Sequence, residues 1–148
     1  MRVALDTNIL VYAEGVNGLP MKKAALEILD RLPAESTFIP IQVLGELFNV
    51  LVRKAKKRPE QAREAILRWQ DTFPLVETSA AILIAASDLA SHHSLSIWDS
   101  VVFSAAAAAG CRLLLSQDMQ EGFTWSGVTV TNPLFPRKHE LLRALLEP

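Results

Sequence analysis

Four short, continuous runs of apolar residues along the chain are typical of buried strands. They cover Arg2 to Leu5, Thr37 to Ile39, Arg112 to Leu115 and Val128 to Thr131, and Leu75-Val76 is a weaker fifth candidate. Strands of a parallel sheet are covered on both faces, so they read as continuous apolar runs rather than as alternating ones. The pattern therefore predicts a mostly parallel sheet.

Longer segments between these runs carry apolar residues at helical spacing. The predicted helices cover Met21 to Leu32, a helix that Pro40 opens, Pro59 to Trp69, Ala80 to His92, Asp99 to Ala109 and Pro136 to Leu146. Proline costs no hydrogen bond at the first helical position, and glycine favours the position after a helix end, as at Gly110. Strands that alternate with helices predict an α/β fold.

The bulk composition fits one globular domain over residues 1–148, with half of the residues hydrophobic and 21% charged. The single cysteine, Cys111, excludes an internal disulfide and a cysteine-based zinc site, and it fits a cytoplasmic location. The longest uninterrupted apolar stretch, Ala80 to Ala86, is far shorter than the ~20 residues of a membrane span, so no membrane is expected. The net charge of −1 counts against a nucleic-acid partner.

Four acidic residues stand where elements leave the predicted sheet. Asp6 ends the first strand, and Asp118 follows the strand Arg112 to Leu115 after two polar residues. Asp99 opens one predicted helix, and Glu46 lies in the second turn of another. Because ligands of parallel α/β sheets bind outside the carboxyl ends of the strands, we expect these four side chains at one edge of the sheet.

Carboxylates crowded together repel one another, so a fold keeps such a cluster mainly when a hard cation neutralises it. Mg²⁺ and Mn²⁺ prefer oxygen ligands and commonly retain water and substrate phosphate. Such a cation activates a water molecule and stabilises the leaving oxygen at phosphorus. The pattern therefore predicts Mg²⁺ or Mn²⁺ as cofactor, phosphodiester hydrolysis as reaction, and Asp6, Glu46, Asp99 and Asp118 as metal ligands and catalytic residues.

Each of the four also has a purely structural interpretation. Asp6 is placed to cap a helix that starts near Ile9, and Asp99 suits the first turn of a helix. Asp118 suits a loop, and a salt bridge to a nearby arginine would satisfy Glu46. Each signal alone is weak, and the hypothesis of a metal site rests on their joint order and position.

Four segments occur in order along nearly the whole chain. They are Val3-Ala4-Leu5-Asp6-Thr7-Asn8-Ile9-Leu10, Gly45-Glu46-Leu47-Phe48-Asn49-Val50-Leu51, Trp98-Asp99-Ser100 and Leu114-Leu115-Ser116-Gln117-Asp118. Together they resemble the PIN-domain ribonuclease family, especially the VapC-type toxins of VapBC toxin–antitoxin pairs. The resemblance implies a PIN-like three-layer α/β/α sandwich with a mostly parallel central sheet of four or five strands.

The same resemblance implies a function. It implies a metal-dependent endoribonuclease that cuts single-stranded or exposed RNA, works as a homodimer, and is bound by a cognate antitoxin whose C-terminal tail lies in or near the active site. Carried over by position, Asp6, Glu46, Asp99 and Asp118 are the acidic ligands.

Four further polar residues are candidates for supporting roles. Thr7 or Ser116 would hydrogen-bond a carboxylate or a water on the metal, and Asn8 resembles the polar residue beside the family's first aspartate. Asn49, one turn after Glu46, is placed to orient that carboxylate. Turn, cap or surface chemistry explains each of these residues equally well.

One position departs from the fuller family pattern. Some members carry a further acidic residue two places beyond the last aspartate, where this chain has Gln120 followed by Glu121. We therefore expect three or four ligands and no second metal ion in the absence of substrate.

Three other functions stay open at this level. The chain fits a stand-alone PIN-domain RNA-processing nuclease and, less well, a non-catalytic PIN-like binding module. A haloacid-dehalogenase type of phosphatase would use Asp6 as nucleophile, but it needs a second aspartate where Asn8 stands. The densest basic run, Arg53 to Arg58, fits either contacts with RNA phosphates or an acidic antitoxin segment, or a solvated helix end.

Overall fold

The computed structural model describes residues 1–147, and Pro148, the last residue of the domain predicted over 1–148, lies outside the described residues. The strands are β1 (Arg2–Leu5), β2 (Thr37–Pro40), β3 (Leu75–Val76), β4 (Cys111–Leu115), β5 (Thr124–Trp125) and β6 (Val128–Thr131). The helices are α1 (Thr7–Ala13), α2 (Leu19–Arg31), α3 (Ile41–Arg53), α4 (Pro59–Thr72), α5 (Ala80–His92), α6 (Ile97–Ala108) and α7 (Glu140–Leu146). A short 3-10 turn at Ala34–Ser36 precedes β2.

The strands form one sheet in the order β3-β2-β1-β4-β6-β5. Every neighbouring pair is parallel except β5 and β6, which are antiparallel. Helices cover the sheet, so the predicted α/β sandwich with a mostly parallel central sheet is confirmed. The carboxyl ends of β1, β2, β4 and β6 consequently lie along the same edge, which we call the carboxyl edge.

Apolar burial explains why these segments form these elements. In β1, Val3, Ala4 and Leu5 are inaccessible to solvent, as expected for a central strand covered on both faces. Helix α3 buries a stripe at helical spacing against the sheet and α1, and α6 is buried along most of its length between the sheet and α5. The core is therefore continuous beneath the carboxyl edge.

Three parts of the chain differ from the pattern-based prediction. A sixth strand, β5, turns back onto β6 through Ser126 and Gly127, whose φ angles of 50° and 81° suit a two-residue hairpin. The last helix begins at Glu140 rather than at Pro136, because His139 Nδ1 caps it by accepting the Leu141 N–H at 3.1 Å. Helix α6 begins at Ile97 rather than at Asp99, because Ser96 is its N-cap.

None of the helices within residues 1–147 is both long enough and apolar enough to span a membrane.

Candidate metal centre

Asp6 is held at the carboxyl end of β1 in a buried position. Its side chain is 4% exposed and accepts hydrogen bonds from the Thr7 backbone N–H at 2.8 Å and from Ser116 Oγ at 2.7 Å. Burial, together with the carboxylates of Asp99 and Glu46, raises the pKa of Asp6 to about 6, although the two hydrogen bonds lower it. Asp6 is also the N-cap of α1, so the capping interpretation is confirmed, and its role as a metal ligand stays a prediction.

Glu46 projects from the second turn of α3 toward the start of α1. Thr7 Oγ1 donates to one of its oxygens at 2.5 Å, and Gln42 Nε2 donates to the other at 3.1 Å. The one salt bridge among residues 1–147 joins Arg68 to Glu14, so the alternative in which an arginine neutralises Glu46 has no support. Glu46 is therefore a half-buried carboxylate whose partners are neutral donors.

Asp99 lies in the first turn of α6, where its backbone N–H donates to Ser96 Oγ at 3.0 Å. Ser96 is the cap of this helix, so capping does not account for the Asp99 carboxylate. Burial raises the pKa of Asp99, and the nearby carboxylates of Glu46 and Asp118 raise it further. The charges of both Glu46 and Asp118 thus act on the Asp99 carboxyl group.

Asp118 lies in the loop that follows β4, and Asn8 Nδ2 donates to its Oδ2. The neighbouring Gln117 accepts a hydrogen bond from the Tyr12 hydroxyl at 2.6 Å. Burial and the Asp118 charge raise the pKa of Tyr12. These contacts tie the loop after β4 to helix α1, whose residues 7, 8 and 12 face the site.

The four carboxylates form one electrostatically coupled group, which we call the carboxylate cluster. Asp6 is coupled to Asp99 and Glu46, and Asp99 is coupled in turn to Glu46 and Asp118. Every one of these couplings is repulsive, because all four groups carry the same charge. The structure thus brings all four predicted residues to the carboxyl edge, as parallel strand topology requires.

The donor chemistry of the cluster fits Mg²⁺ or Mn²⁺, since carboxylate oxygens are the ligands that these cations prefer. Within residues 1–147, no three acidic, histidine or cysteine side chains stand close enough to enclose a metal ion on their own. Thr7 and Gln42 hydrogen-bond Glu46, and Asn8 hydrogen-bonds Asp118, so each of these carboxylates has polar protein partners already. An open arrangement of this kind suits Mg²⁺, which usually keeps several waters and needs few protein ligands.

The supporting residues predicted from the sequence fall into two groups. Thr7, Asn8 and Ser116 each hydrogen-bond a carboxylate of the cluster. Asn49 makes no hydrogen bond with Glu46, and its amide oxygen instead accepts a hydrogen bond from Arg53 Nε at 2.8 Å, one turn further along α3. The expected orienting role therefore falls to Gln42, one turn before Glu46 rather than one turn after it.

Two residues of the site were missed by reasoning from the sequence. Gln42 had a usable signal, because residues four apart on a helix are neighbours on its surface. Tyr12 had none, because its partner Gln117 lies 105 positions away in the chain and only the folded sheet brings them together.

Glu121 is held apart from the cluster by its own hydrogen bonds. One of its oxygens accepts from Thr131 Oγ1 at 2.7 Å and the other from the Asn132 N–H at 2.7 Å. It therefore braces the end of β6 against the loop after β4. The acidic residue next to Gln120 thus has a structural partner of its own.

Fold and site together define an α/β protein with an acidic centre at the carboxyl edge of a parallel sheet. A family model described as the PIN domain matches residues 3–120, a stretch that includes all four carboxylates. The chain belongs to the PIN domain family. No curated protein sequence matches the chain.

Solved structures of toxins and of toxin–antitoxin complexes share the fold at low sequence identity. The VapC20 toxin of Mycobacterium tuberculosis, which cleaves the sarcin–ricin loop, has a TM-score of 0.67 and 18% identity, covering 78% of this chain and 89% of the toxin. A toxin–antitoxin complex from Klebsiella pneumoniae has a TM-score of 0.67 and 20% identity, with coverage of 88% and 97%. VapBC2 from Rickettsia felis, bound to a promoter DNA fragment, has a TM-score of 0.65 and 19% identity, with coverage of 89% and 98%.

Proposed function

We propose that this protein is a Mg²⁺- or Mn²⁺-dependent endoribonuclease and the toxin of a type II toxin–antitoxin pair. In this proposal Asp6, Glu46, Asp99 and Asp118 are the metal ligands, RNA is the substrate, and a cognate antitoxin is the partner. In the same proposal the protein is cytoplasmic, which its single cysteine fits, and it works as a homodimer, as the family resemblance implies.

The observation that carries the proposal is the repulsive coupling of the four carboxylates. Asp6 is 4% exposed, and burial together with two neighbouring carboxylates raises its pKa. A buried carboxylate without a cation costs free energy, and mutual repulsion adds to that cost. A bound divalent cation removes both penalties, which explains why a stable fold retains this arrangement.

The chain's own residues hold the ligands in place before any cation arrives. Thr7 serves two of them, because its backbone N–H donates to Asp6 and its hydroxyl donates to Glu46. Ser116 fixes the second oxygen of Asp6, and Asn8 fixes Asp118. When bound, the cation supplies a water of lowered pKa for attack on phosphorus and neutralises charge on the phosphodiester.

The comparisons support the finer parts of the proposal. The chain belongs to the PIN domain family, and the Klebsiella pneumoniae neighbour is a toxin–antitoxin complex, which supports an antitoxin partner. The VapC20 neighbour acts on the sarcin–ricin loop, which supports RNA as the substrate class. A phosphatase that uses Asp6 as nucleophile has no second aspartate, since Asn8 occupies that position and binds Asp118.

A cleavage assay tests the proposal. Metal-free protein is incubated with a mixed pool of structured and single-stranded RNAs, with Mg²⁺, with Mn²⁺ or with a chelator. We expect discrete RNA fragments with either metal and none with the chelator. Absence of cleavage of the whole pool in both metals would contradict the proposal.

Asp88→Asn is the matched control, because Asp88 is an exposed aspartate of α5 outside the cluster. It shows whether the loss of any one carboxylate lowers the activity, and whether a contaminating nuclease accounts for the cleavage. It should cut like the wild type, whereas Asp99→Asn from the same preparation should not. Equal cleavage by both variants would place the activity elsewhere. Sedimentation equilibrium of the purified chain tests the homodimer.

A further inference from the structure

A groove formed by residues that follow β6 carries cations that form no salt bridge within residues 1–147. It has a volume of about 700 Å³ and is lined by the segment after β6 and the start of α7. Arg137, Lys138 and Arg143 line it, and the salt bridge among residues 1–147 uses none of them. We call this surface the C-terminal groove.

The groove lies at the same edge of the sheet as the cluster. Strand β6 is parallel to β4, so residues after Thr131 leave the sheet where the loop with Asp118 leaves it. The link is direct, because Glu121 belongs to that loop, accepts from the Asn132 N–H at 2.7 Å, and also lines the groove. The loop that carries Asp118 thus also contributes Glu121 to the wall of the groove.

The side chains that line the groove include more cations than carboxylates. Arg137, Lys138 and Arg143 face two carboxylates on the lining, Glu121 and Glu140, and Glu121 is already held by hydrogen bonds from Thr131 and Asn132. Arg137 and Arg143 are exposed, and neither side chain donates a hydrogen bond within residues 1–147. Arginine presents several donors in a planar fork that matches phosphate oxygens.

The groove also offers an aromatic surface. Phe135 lines it and is 45% exposed, so part of its ring is accessible to a ligand in the groove. Aromatic rings and arginine planes are the surfaces on which unpaired bases of single-stranded RNA stack. Phosphate-binding cations next to an exposed ring are typical of such a binding surface.

The basic run at the end of α3 is less suitable for this role. Helix α3 starts at the carboxyl edge and runs away from it, so Arg53 lies about 10 Å beyond Glu46 at 1.5 Å per residue. Arg53 is also engaged, because its Nε donates to Asn49. The densest cationic stretch of the sequence thus follows a helix that runs away from the carboxyl edge, whereas the sparser cations of the C-terminal groove follow a strand that ends at that edge.

We propose that the C-terminal groove is the track for the RNA backbone, with Arg137 and Arg143 binding phosphates of the strand that the carboxylate cluster cuts. This inference rests on the proposed ribonuclease function and adds the surface by which the chain holds its substrate. It also accounts for RNA binding by a chain with a net charge of −1, since the cations are local to the site.

The test compares Arg137→Gln/Arg143→Gln with Lys54→Gln/Lys57→Gln, which removes two cations from the end of α3. Binding of a short fluorescein-labelled single-stranded RNA is measured by anisotropy in chelator, so that no cleavage occurs. The groove variant should bind about 2- to 30-fold more weakly than the wild type, the range set by two solvent-exposed ion pairs. The slope of log K against log salt should become shallower by about 1.4, or about 0.7 for each phosphate that an arginine no longer neutralises.

Cleavage kinetics separate binding from chemistry. In Mg²⁺ the groove variant should raise KM more than it lowers kcat, because the cations hold substrate without touching the reacting phosphate. The Lys54→Gln/Lys57→Gln control should match the wild type in both assays. Far-ultraviolet circular dichroism and thermal melting establish that both variants are folded.

Three outcomes would overturn the inference. If the groove variant binds RNA with the affinity and the salt slope of the wild type, the groove is not part of the RNA-binding surface, and the proposed nuclease function is unaffected. An equal loss in the Lys54→Gln/Lys57→Gln control would make the effect one of overall charge. Unchanged RNA binding together with weakened binding of a labelled polyglutamate peptide would make the groove a docking surface for an acidic protein segment instead. If the wild type neither binds nor cuts RNA, the proposed function itself fails, which is a distinguishable result.

Discussion

The middle of the sheet and its carboxyl edge are both buried, yet burial has opposite consequences in the two regions. In the middle, Leu113 and Leu114 are inaccessible to solvent and gain free energy from leaving water. At the edge, Asp6 is 4% exposed, and burial together with nearby carboxylates raises its pKa to about 6. Burial thus stabilises the fold in the middle of the sheet and destabilises it at the carboxyl edge. This is expected where a residue is kept for the chemistry of a site and not for the stability of the fold.

The largest effect should be on catalysis at the edge. Asp99→Asn removes the carboxylate that is coupled to both Glu46 and Asp118. Because a catalytic metal contributes several kcal/mol to the barrier, kcat/KM for RNA cleavage should fall roughly 100-fold or more. Cleavage rates in saturating Mg²⁺ measure this, with Asp88→Asn as the control, and an activity within about threefold of the wild type would contradict it.

The next effect lies in the interior and has the sign expected of a core. Leu114→Ala removes a fully buried side chain from β4, between β1 and β6. The free energy of unfolding should fall by about 2–5 kcal/mol, because apolar burial is reduced and a cavity is left behind. Urea denaturation measures the change. A loss below about 1 kcal/mol would mean that the site collapses to fill the space.

Asp6→Asn should increase the free energy of unfolding of the metal-free protein, whereas Leu114→Ala decreases it. The pKa of Asp6 in the folded state is about 6, above its ordinary value of 3.8, so the folded state binds the extra proton and the charged form costs stability at neutral pH. A pKa difference of this size corresponds to roughly 3 kcal/mol as an upper bound. Metal-free Asp6→Asn should therefore unfold at higher urea than the metal-free wild type, and a clear destabilisation would contradict this expectation.

The same pair of proteins gives a pH dependence. A raised carboxyl pKa means that the penalty is full above about pH 6, shrinks as pH falls, and is gone below about 3.8. The stability gap between metal-free Asp6→Asn and the wild type should accordingly be widest near neutral pH and narrow as the pH falls toward the ordinary carboxyl pKa. Urea melts across this range measure the gap, and a gap that does not vary with pH would exclude Asp6 titration as its cause.

The smallest effect should come from Thr7, which supports two carboxylates without being a ligand. Thr7→Val keeps the shape of the side chain and removes the hydroxyl that donates to Glu46 at 2.5 Å. Partners that orient a ligand typically contribute about 10- to 100-fold in metal affinity, so a roughly tenfold weaker affinity for Mn²⁺ is expected. Thr7→Ser restores the hydroxyl and should recover most of it, and no recovery would indicate a packing effect.

The amino-acid sequence alone predicts most strands of the sheet, because the patterns that mark them are local in the chain. Continuous apolar runs mark β1, β2, β4 and β6, and the rule for strand ends places Asp6 and Asp118 at one edge. The features that it misses depend on long-range contacts or on short elements. The hydrogen bond from Tyr12 to Gln117 exists only once the sheet has formed. Strand β5 has two residues, too few for any periodicity to register.

The direction of side chains is a second feature that the sequence leaves open. Helical spacing puts Gln42 and Asn49 about equally near Glu46, and the backbone pattern cannot choose between them. The choice is made by Arg53, whose guanidinium takes the amide oxygen of Asn49 and leaves Gln42 to hold the carboxylate. The C-terminal groove was missed because its cations are sparse in sequence and gather only around the start of α7.

The proposed function depends above all on a divalent cation that neutralises the repulsion at the carboxyl edge. Calorimetric titration of Mn²⁺ into the metal-free protein tests for that cation, alongside thermal melting with and without the metal. We expect saturable binding and a raised Tm for the wild type and Asp88→Asn, and the loss of both for Asp99→Asn. A wild type that binds no Mn²⁺ or Mg²⁺, or an Asp99→Asn variant that binds as the wild type does, would contradict the neutralisation of the cluster by a metal ion.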